Sequence, residues 1–262
     1  MNYRVTIISG IYSCADTLDE AASSILAQTF REWKWILCDD GSVDDTYQKA
    51  QKYADQYENI ILIRNDRNRG LNYTLNHCLD YADTEYVARM DGDDISLPDR
   101  LEKEVKFLDA YPEYAIVSTG MFYFDEKGTF MQRIPKEHPD PYDFPKRTPF
   151  CHAPCMVRKE ALDAVEGYTE SDKLLRVEDY HLWIKMYAKG FQGYNIQEAL
   201  YMMRDDREAY TRRKFKYRVN EARVKIIAVK ELGLPFTSNI YALKPLLVGL
   251  MPARLYKKFR SR

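Results

Sequence analysis

Along the first 120 residues, short runs rich in β-branched and aromatic side chains alternate with longer stretches in which apolar residues recur every three or four positions. Residues 4–9, 34–38, 60–64, 86–90 and 115–119 read as strands. Between them Leu18, Ala22, Ile25 and Leu26 fall at helical spacing, residues 43–57 and 71–81 continue the pattern, and Leu101, Val105 and Leu108 mark a fourth helix. Alternation of this kind predicts a wound α/β sheet. Thr17 with Glu20, Ser42 with Asp45, and Ser96 with Asp99 have capping-box spacing, and Pro98 suits a first helical turn.

The pattern changes near Phe122. Residues 122–124 and 130–134 flank Asp125-Glu126-Lys127-Gly128, which predicts a hairpin. Pro135, Pro139, Pro141, Pro145 and Pro149 then fall in a stretch with little periodicity, read as an ordered loop crossing one face. Beyond it, 156–158 and 199–203 read as strands, and 159–165 and 178–189 as helices, the second with Leu182, Trp183 and Met186 inward. Two basic helices are expected at about 208–232 and 239–259.

The chain has 262 residues, 45% hydrophobic and 30% charged, a balance that excludes collagen-like, disordered and polytopic membrane proteins. Its net charge of −1 hides an asymmetry. Residues 207–262 hold fifteen Lys/Arg against three Glu, net +12, which leaves −13 for residues 1–206. The acidic body is compatible with divalent metals, and the basic end suits anionic partners. Nucleic acid is not expected, since no recognisable nucleic-acid module accompanies the basic residues. In the basic end Ile240, Leu243, Leu246, Leu247, Leu250 and Leu255 are interspersed with Lys244, Arg254, Lys257, Lys258 and Arg260, a composition suited to an anionic membrane surface. The alternative is that these helices pack across the body or against a second subunit in a homo-oligomer, with the charges solvated. Pro245 and Pro252 should break the segment into pieces. Five scattered cysteines without CxxC spacing point to a reducing compartment and no zinc site. The opening apolar run is too short for a secretory signal, so a cytoplasmic protein is expected.

In open α/β sheets ligands bind beyond the carboxyl ends of the strands. Those positions here carry Ser9-Gly10-Ile11-Tyr12, Asp39-Asp40-Gly41-Ser42, Asn68-Arg69-Gly70 and Asp91-Gly92-Asp93-Asp94. Neither GxGxxG nor GxxxxGK[ST] is present. Asp91 and Asp93 can instead present oxygens to one Mg²⁺ or Mn²⁺ that bridges to a diphosphate; the alternative is a turn with capping carboxylates. One of Asp39 and Asp40 can accept a hydrogen bond from a pyrimidine imide or ribose hydroxyl, while the other caps the next helix. Tyr12 either stacks on a base or packs, and Arg69 either pairs with diphosphate or is solvated. Glu178 and Asp179 open a helix near its positive end. Beside a metal-diphosphate site Asp179 becomes the natural general base, with Glu178 an acceptor contact or a support to it. His152 borders the same face, and His181 is read as structural.

These motifs resemble those of the inverting glycosyltransferases of family 2, of the bacterial polysaccharide and lipopolysaccharide type, over roughly the first 205 residues. The similar segments are Val5-Thr6-Ile7-Ile8-Ser9-Gly10-Ile11-Tyr12-Ser13, Ser24-Ile25-Leu26-Ala27-Gln28-Thr29-Phe30, Asp39-Asp40-Gly41-Ser42, Asn68-Arg69-Gly70, and Met90-Asp91-Gly92-Asp93-Asp94 followed by Pro98-Asp99-Arg100-Leu101. Gly10 and Ser13 stand where the family usually has proline or threonine and asparagine. The resemblance implies a GT-A fold, an α/β Rossmann-like mixed sheet flanked by helices. It divides the chain into a catalytic domain over 1–206, with a nucleotide-sugar half (1–120) and an acceptor half (121–206), and a basic helical extension over 207–262. It implies that Gly10, Ile11, Tyr12, Arg69 and Gly92 surround a UDP-sugar and that Asp40 contacts the uracil with Asp39 close by. Asp91 and Asp93 would be the DxD pair, with Asp93 the preferred direct Mn²⁺ ligand. It also implies that Asp179 is the base of the ED motif and that His152 matches an acceptor-side histidine. The expected reaction is hexosyl or N-acetylhexosaminyl transfer to a glycan or lipid-linked saccharide, at the inner face of the cell membrane.

Two other classes were weighed. A sugar nucleotidyltransferase would want a Gly-rich, Arg/Lys-bearing loop after the first strand, which Gly10-Ile11-Tyr12-Ser13 does not supply. A non-catalytic binding module predicts loss of carboxylates, yet Asp91, Asp93 and Asp179 are all present.

Overall fold

A computed structural model of the chain describes residues 2–205 and 214–251. Its strands are β1 (Val5–Ile11), β2 (Trp33–Asp39), β3 (Ile60–Arg64), β4 (Tyr86–Arg89), β5 (Ile95–Ser96), β6 (Tyr114–Asp125), β7 (Gly128–Arg133), β8 (Met156–Arg158) and β9 (Gln192–Arg204). They form one mixed sheet in the order β3-β2-β1-β4-β8-β6-β9-β5, with β7 paired to β6. Strands β1 to β4 are parallel, β8 is antiparallel to both β4 and β6, and β9 is parallel to β6 but antiparallel to β5.

The helices are α1 (Leu18–Leu26), α2 (Thr46–Gln56), α3 (Leu71–Leu79), α4 (Arg100–Ala110), α5 (Lys159–Ala164), α6 (Glu178–Ala188), α7 (Phe215–Glu231) and α8 (Leu243–Leu250). They cover both faces of the sheet, which is why β2 is buried at every position instead of alternating with polar residues. Trp33, Trp35 and Leu37 enter one core with Ile7, Ile25 of α1 and Leu101 of α4. Ile36 and Cys38 enter the other, with Ile8, Leu75 of α3 and Trp183 of α6. Period-two geometry thus splits one apolar run between two cores. Trp183 is almost fully buried, and its truncation to alanine would cost about 3–5 kcal/mol.

Several expectations change in detail. The strand expected at 115–119 and the first arm of the hairpin are one strand, β6, because Gly120 carries the chain past Arg133 and Ile134 without a break. A Cβ there would overlap Ile134 Cδ1 and lie 2.8 Å from the Arg133 carbonyl oxygen. Strand β9 starts at Gln192, not near 199, since it pairs along nearly the whole of β6. The three capping boxes do not form. Thr17 donates to the carbonyls of Cys14 and Gly92, Ser42 Oγ accepts Ser13 N–H at 3.1 Å, and Ser96 Oγ accepts Gln28 Nε2 at 3.0 Å. These hydroxyls tie loops together at the strand ends instead of capping helices.

Arg100 and Glu104 of α4 are both fully buried, Nε to Oε2 3.9 Å. Arg100 donates to the carbonyl of Arg89 at 3.0 Å and lies over the Tyr201 ring, so it props the end of β4 from beneath. Neither Glu104 oxygen has a hydrogen-bond partner, and burial pushes its carboxyl up to about 8.

In the basic extension α7 lies against the body. Val224 and Ala228 join the core around Trp183, Asn220 Nδ2 donates to the carbonyls of Asp172 and Leu175, and Lys225 Nζ donates to those of Pro145 and Lys146, both at 2.8 Å. For α7, then, packing across the body is what the structure shows. The second expected helix begins as a 3₁₀ segment (Phe236–Ala242) that leads into α8; Pro252, Arg254, Leu255, Lys257, Lys258 and Arg260, on which part of the expectation rests, lie outside the described residues. Among the described residues no helix is long and apolar enough to cross a membrane.

Candidate active site

The carboxyl ends of β1 and β4 open into a cavity of about 330 Å³ whose lining includes Gly10, Ile11, Tyr12, Asp91, Gly92 and Asp93. Gly10 and Ile11 lie within β1, which runs two residues beyond the end expected at Ser9. Gly92 must be glycine for the two strand ends to meet, since a Cβ would stand 2.9 Å from both Ile11 Cγ2 and Cys14 Sγ. Tyr12 is half-exposed at the rim, free of the core packing that was its alternative role.

Asp39 and Asp40 divide two tasks. Asp39, fully buried, accepts the Ser42 N–H and pairs with Arg64 Nε at 2.9 Å, which fixes the turn that Gly41 makes at φ +73°. Asp40 reaches the neighbouring loop: Oδ1 accepts Asn65 Nδ2 and the Arg69 N–H at 2.8 Å each, and Oδ2 accepts the Gly70 N–H at 2.9 Å. Oδ2 keeps capacity for one further donor. Neither carboxylate lines the cavity. Arg69 is turned elsewhere, paired with Asp66 at 2.8 Å and lying over the Tyr73 ring. It borders a second cavity, also about 330 Å³, with Asn72, Glu170, Ser171 and Asp172.

Asp91 is held by Arg89 through two bonds of 2.6 and 2.5 Å, and its N–H is 3.1 Å from the Tyr201 hydroxyl. Although burial works against the charge of Arg89, Asp91 holds its guanidinium well above the ordinary value. Burial, then Asp91, pushes the Asp93 carboxyl up. Asp94 turns away and accepts the Arg204 N–H at 2.7 Å. Crowded carboxylates that raise one another's proton affinity suit a hard cation with oxygen ligands. With Asp91 clamped by Arg89, Asp93 is the freer oxygen donor. No cage of three or more His, Cys, Asp or Glu exists among the described residues.

Glu178 and Asp179 open α6 just after Arg176, whose φ of +69° turns the chain sharply into the helix. Burial pushes the carboxyl of Asp179 up, offset in part by the N–H of Tyr180 and by Arg89. Glu178 is raised by burial and then by Asp179. Arg89 therefore opposes the charge of both acidic groups, the pair after β4 and the pair opening α6. His152 Nε2 is 2.8 Å from the Tyr168 hydroxyl, edge-on to Trp183, and burial keeps its ring neutral. It packs with Tyr168 instead of facing solvent. His181 is half-buried, and burial, then Lys185, hold its ring below the ordinary imidazole value.

Two residues escaped the sequence reading. Arg89 was absorbed into an apolar strand, although a lone charge in the buried run Tyr86–Arg89 was the available signal. Arg204, at the end of β9, lines the first cavity, donates to the Asp93 carbonyl at 3.0 Å and pairs with Glu20. It follows directly on the strand predicted to end at Met203, so the strand-end rule would have found it had β9 been given its full length.

A mixed sheet of this order, with carboxylates gathered at the ends of its parallel strands and an acidic pair opening a helix behind them, defines a GT-A glycosyltransferase. The profile described as "Glycosyl transferase family 2" matches residues 6–165, and "Glycosyl transferase family group 2" matches 86–256. The chain belongs to glycosyl transferase family 2. It is 44% identical over 260 residues to "Putative glycosyltransferase EpsE" of Bacillus subtilis, covering 99% of this chain and 94% of that one. It is 27% identical over 239 residues to the Escherichia coli UDP-Glc:alpha-D-GlcNAc-diphosphoundecaprenol beta-1,3-glucosyltransferase WfaP, covering 91% and 90%. The fold matches that of S. aureus TarS 1-349 crystallised with UDP-GlcNAc, with a TM-score of 0.72, 20% identity, and coverage of 93% of this chain and 71% of that one.

Proposed function

We infer that this glycosyltransferase moves a sugar from a UDP-sugar to a hydroxyl of a glycan or lipid-linked saccharide during surface polysaccharide synthesis, with inversion at the anomeric carbon. The observation that carries this reading is the cavity between β1 and β4, where Asp93 stands free beside the Arg89-clamped Asp91; Glu178 and Asp179 do not line it, but their charge is offset by the same arginine. The similarity to WfaP, named as a UDP-Glc transferase acting on a diphosphoundecaprenol-linked sugar, and to TarS, crystallised with UDP-GlcNAc, supports the choice of donor and acceptor class.

Asp93, with Asp91, would hold Mn²⁺ or Mg²⁺, which when bound neutralises charge on the departing diphosphate. Asp179 accepts the proton of the acceptor hydroxyl, and burial strengthens it as a base for as long as it stays ionised. The hydroxyl oxygen then attacks the anomeric carbon opposite the diphosphate in a single displacement, so no protein nucleophile is needed. Asp40 fixes the loop 68–70 and retains one acceptor position for the base or ribose. Tyr12 flanks the cavity where a uracil ring can stack. Glu178 and His152 shape the acceptor side. A lipid-linked acceptor places the enzyme at the inner face of the cell membrane.

The test is calorimetric titration of UDP, with GDP and TTP as controls, with and without Mn²⁺. Wild type should bind UDP selectively and with metal dependence; Asp93→Ala should lose that binding, and Asp179→Asn should keep it while abolishing transfer. Nucleotide binding indifferent to both metal and Asp93 would sink the reading.

A further inference from the structure

The end of the described chain presents an apolar ridge that no other described residue covers. Phe236, Ile240, Leu243, Leu247 and Leu250, spaced four, three, four and three residues apart along the 3₁₀ segment and α8, are between 53% and 86% exposed. Residues that could have been buried in the core are thus turned outward on consecutive helical turns, while Ala242 and Pro245 face inward toward α7. Isolated apolar residues are common on surfaces, but a continuous row of five large ones marks an interaction site.

Charge identifies the partner. From Leu234 to the last residue the sequence holds six basic residues, Lys244, Arg254, Lys257, Lys258, Arg260 and Arg262, and no Asp or Glu. Lys244 is exposed beside the ridge. An apolar ridge in a stretch of sequence whose charges are all positive suits a surface that is hydrocarbon beneath and anionic above. A second copy of this chain would offer its own ridge and its own cations, which repel.

Position relates the ridge to the active site. Gly249 lies so close to α7 that a Cβ would meet the Phe215 ring at 2.8 Å and Arg218 Cγ at 3.0 Å. The end of α8 is therefore stacked on the start of α7, and Asn220, one turn further along, grips the carbonyls of Asp172 and Leu175 just ahead of Glu178 and Asp179. We propose that the ridge Phe236, Ile240, Leu243, Leu247 and Leu250 docks the enzyme on an anionic phospholipid bilayer, holding the α6 end of the active site toward the lipid. This deepens the reading of a lipid-linked acceptor and rests on it for its purpose.

The experiment is sedimentation of the full chain with vesicles of phosphatidylcholine, alone or with about a third phosphatidylglycerol. Wild type should pellet with the anionic vesicles and be released by salt. The double variant Ile240→Glu/Leu247→Glu, altered only at exposed positions, should lose at least about tenfold in partitioning with an unchanged melting midpoint. Equal pelleting of variant and wild type, or no pelleting of either, overturns the proposal. So does a wild-type dimer in sedimentation velocity that the variant dissolves, which would give the ridge to a second copy. UDP titration into the same samples separates the two readings: vesicle capture without UDP binding would leave the docking and remove the transferase assignment, and UDP binding without capture would do the reverse.

Discussion

Glu104 offers a test whose size follows from the structure. It is fully buried in α4, both oxygens lack hydrogen bonds, and Arg100 at 3.9 Å is the one charge that opposes its desolvation. Its carboxyl stands near 8 in the folded chain against an ordinary 4.5. A carboxyl raised on folding binds more protons folded than unfolded between those values, so it favours folding below about 4.5 and withdraws that support progressively as pH rises from there to about 8. The full shift would be worth about 5 kcal/mol. Local relaxation around the ionised group leaves roughly 2 kcal/mol, or about 4 °C in melting midpoint for a chain of this length. Glu104→Gln removes the titration and keeps the shape. Melting curves at pH 4, 6 and 9 should show the two proteins within about a degree at pH 4, below the ordinary carboxyl value. By pH 9 the variant should be about 4 °C the more stable. Parallel curves across that range would refute the reasoning, because every other titrating group is shared.

Two further outcomes are expected. Asp40→Ala removes the acceptor for three donors, two of them backbone N–H groups, and should cost about 2–4 kcal/mol, read as a lowered urea midpoint, with UDP affinity falling because loop 68–70 is released. In the transfer assay with Mn²⁺ held constant, activity should fall at acid pH as Asp179 is protonated, and the acid limb should lie above the ordinary aspartate range, since burial raises that group; a limb within the ordinary range would argue against Asp179 as the base.

The strands were legible because parallel strands covered on both faces are written as unbroken apolar runs, and the run containing Trp35, Ile36 and Leu37 fits no other element of that length. The acidic strand ends were legible for a related reason, since four polar turns follow four such runs. What did not show was how distant segments share the work. Whether Asp39 or Asp40 holds its own turn depends on Arg64, Asn65, Arg69 and Gly70, some thirty residues away, and no local spacing encodes that choice. Thr17, Ser42 and Ser96 have capping spacing, but each hydroxyl found a partner in a loop that approaches only in the folded chain. Strand β9 was read short because Gln197 and Glu198 interrupt its apolar pattern, and that interruption falls where its register against β6 shifts. In α7, buried Asn220 and Lys225 look like surface residues until their carbonyl partners, 45 to 80 residues earlier in the chain, are in place.

The strand order has a consequence for how the protein is made. Strand β4, whose end leads into Asp91 and Asp93, has β1 on one side and β8 on the other, and β8 is completed only at Arg158. The short strand that follows those aspartates, Ile95–Ser96, pairs only with Tyr201 and Met202. On the ribosome, therefore, the first hundred residues emerge with an open sheet edge beside their most acidic loop, and the gap closes only when the chain has grown by a hundred more. Such long-range closure is slow compared with helix formation. The nascent chain passes through a stage with an unpaired strand edge, the kind of surface that chaperones cover and that neighbouring nascent chains can join. A cell making this enzyme gains no early, independently complete cavity at these strand ends: it is closed only when β9 joins the sheet and brings Arg204 into its lining.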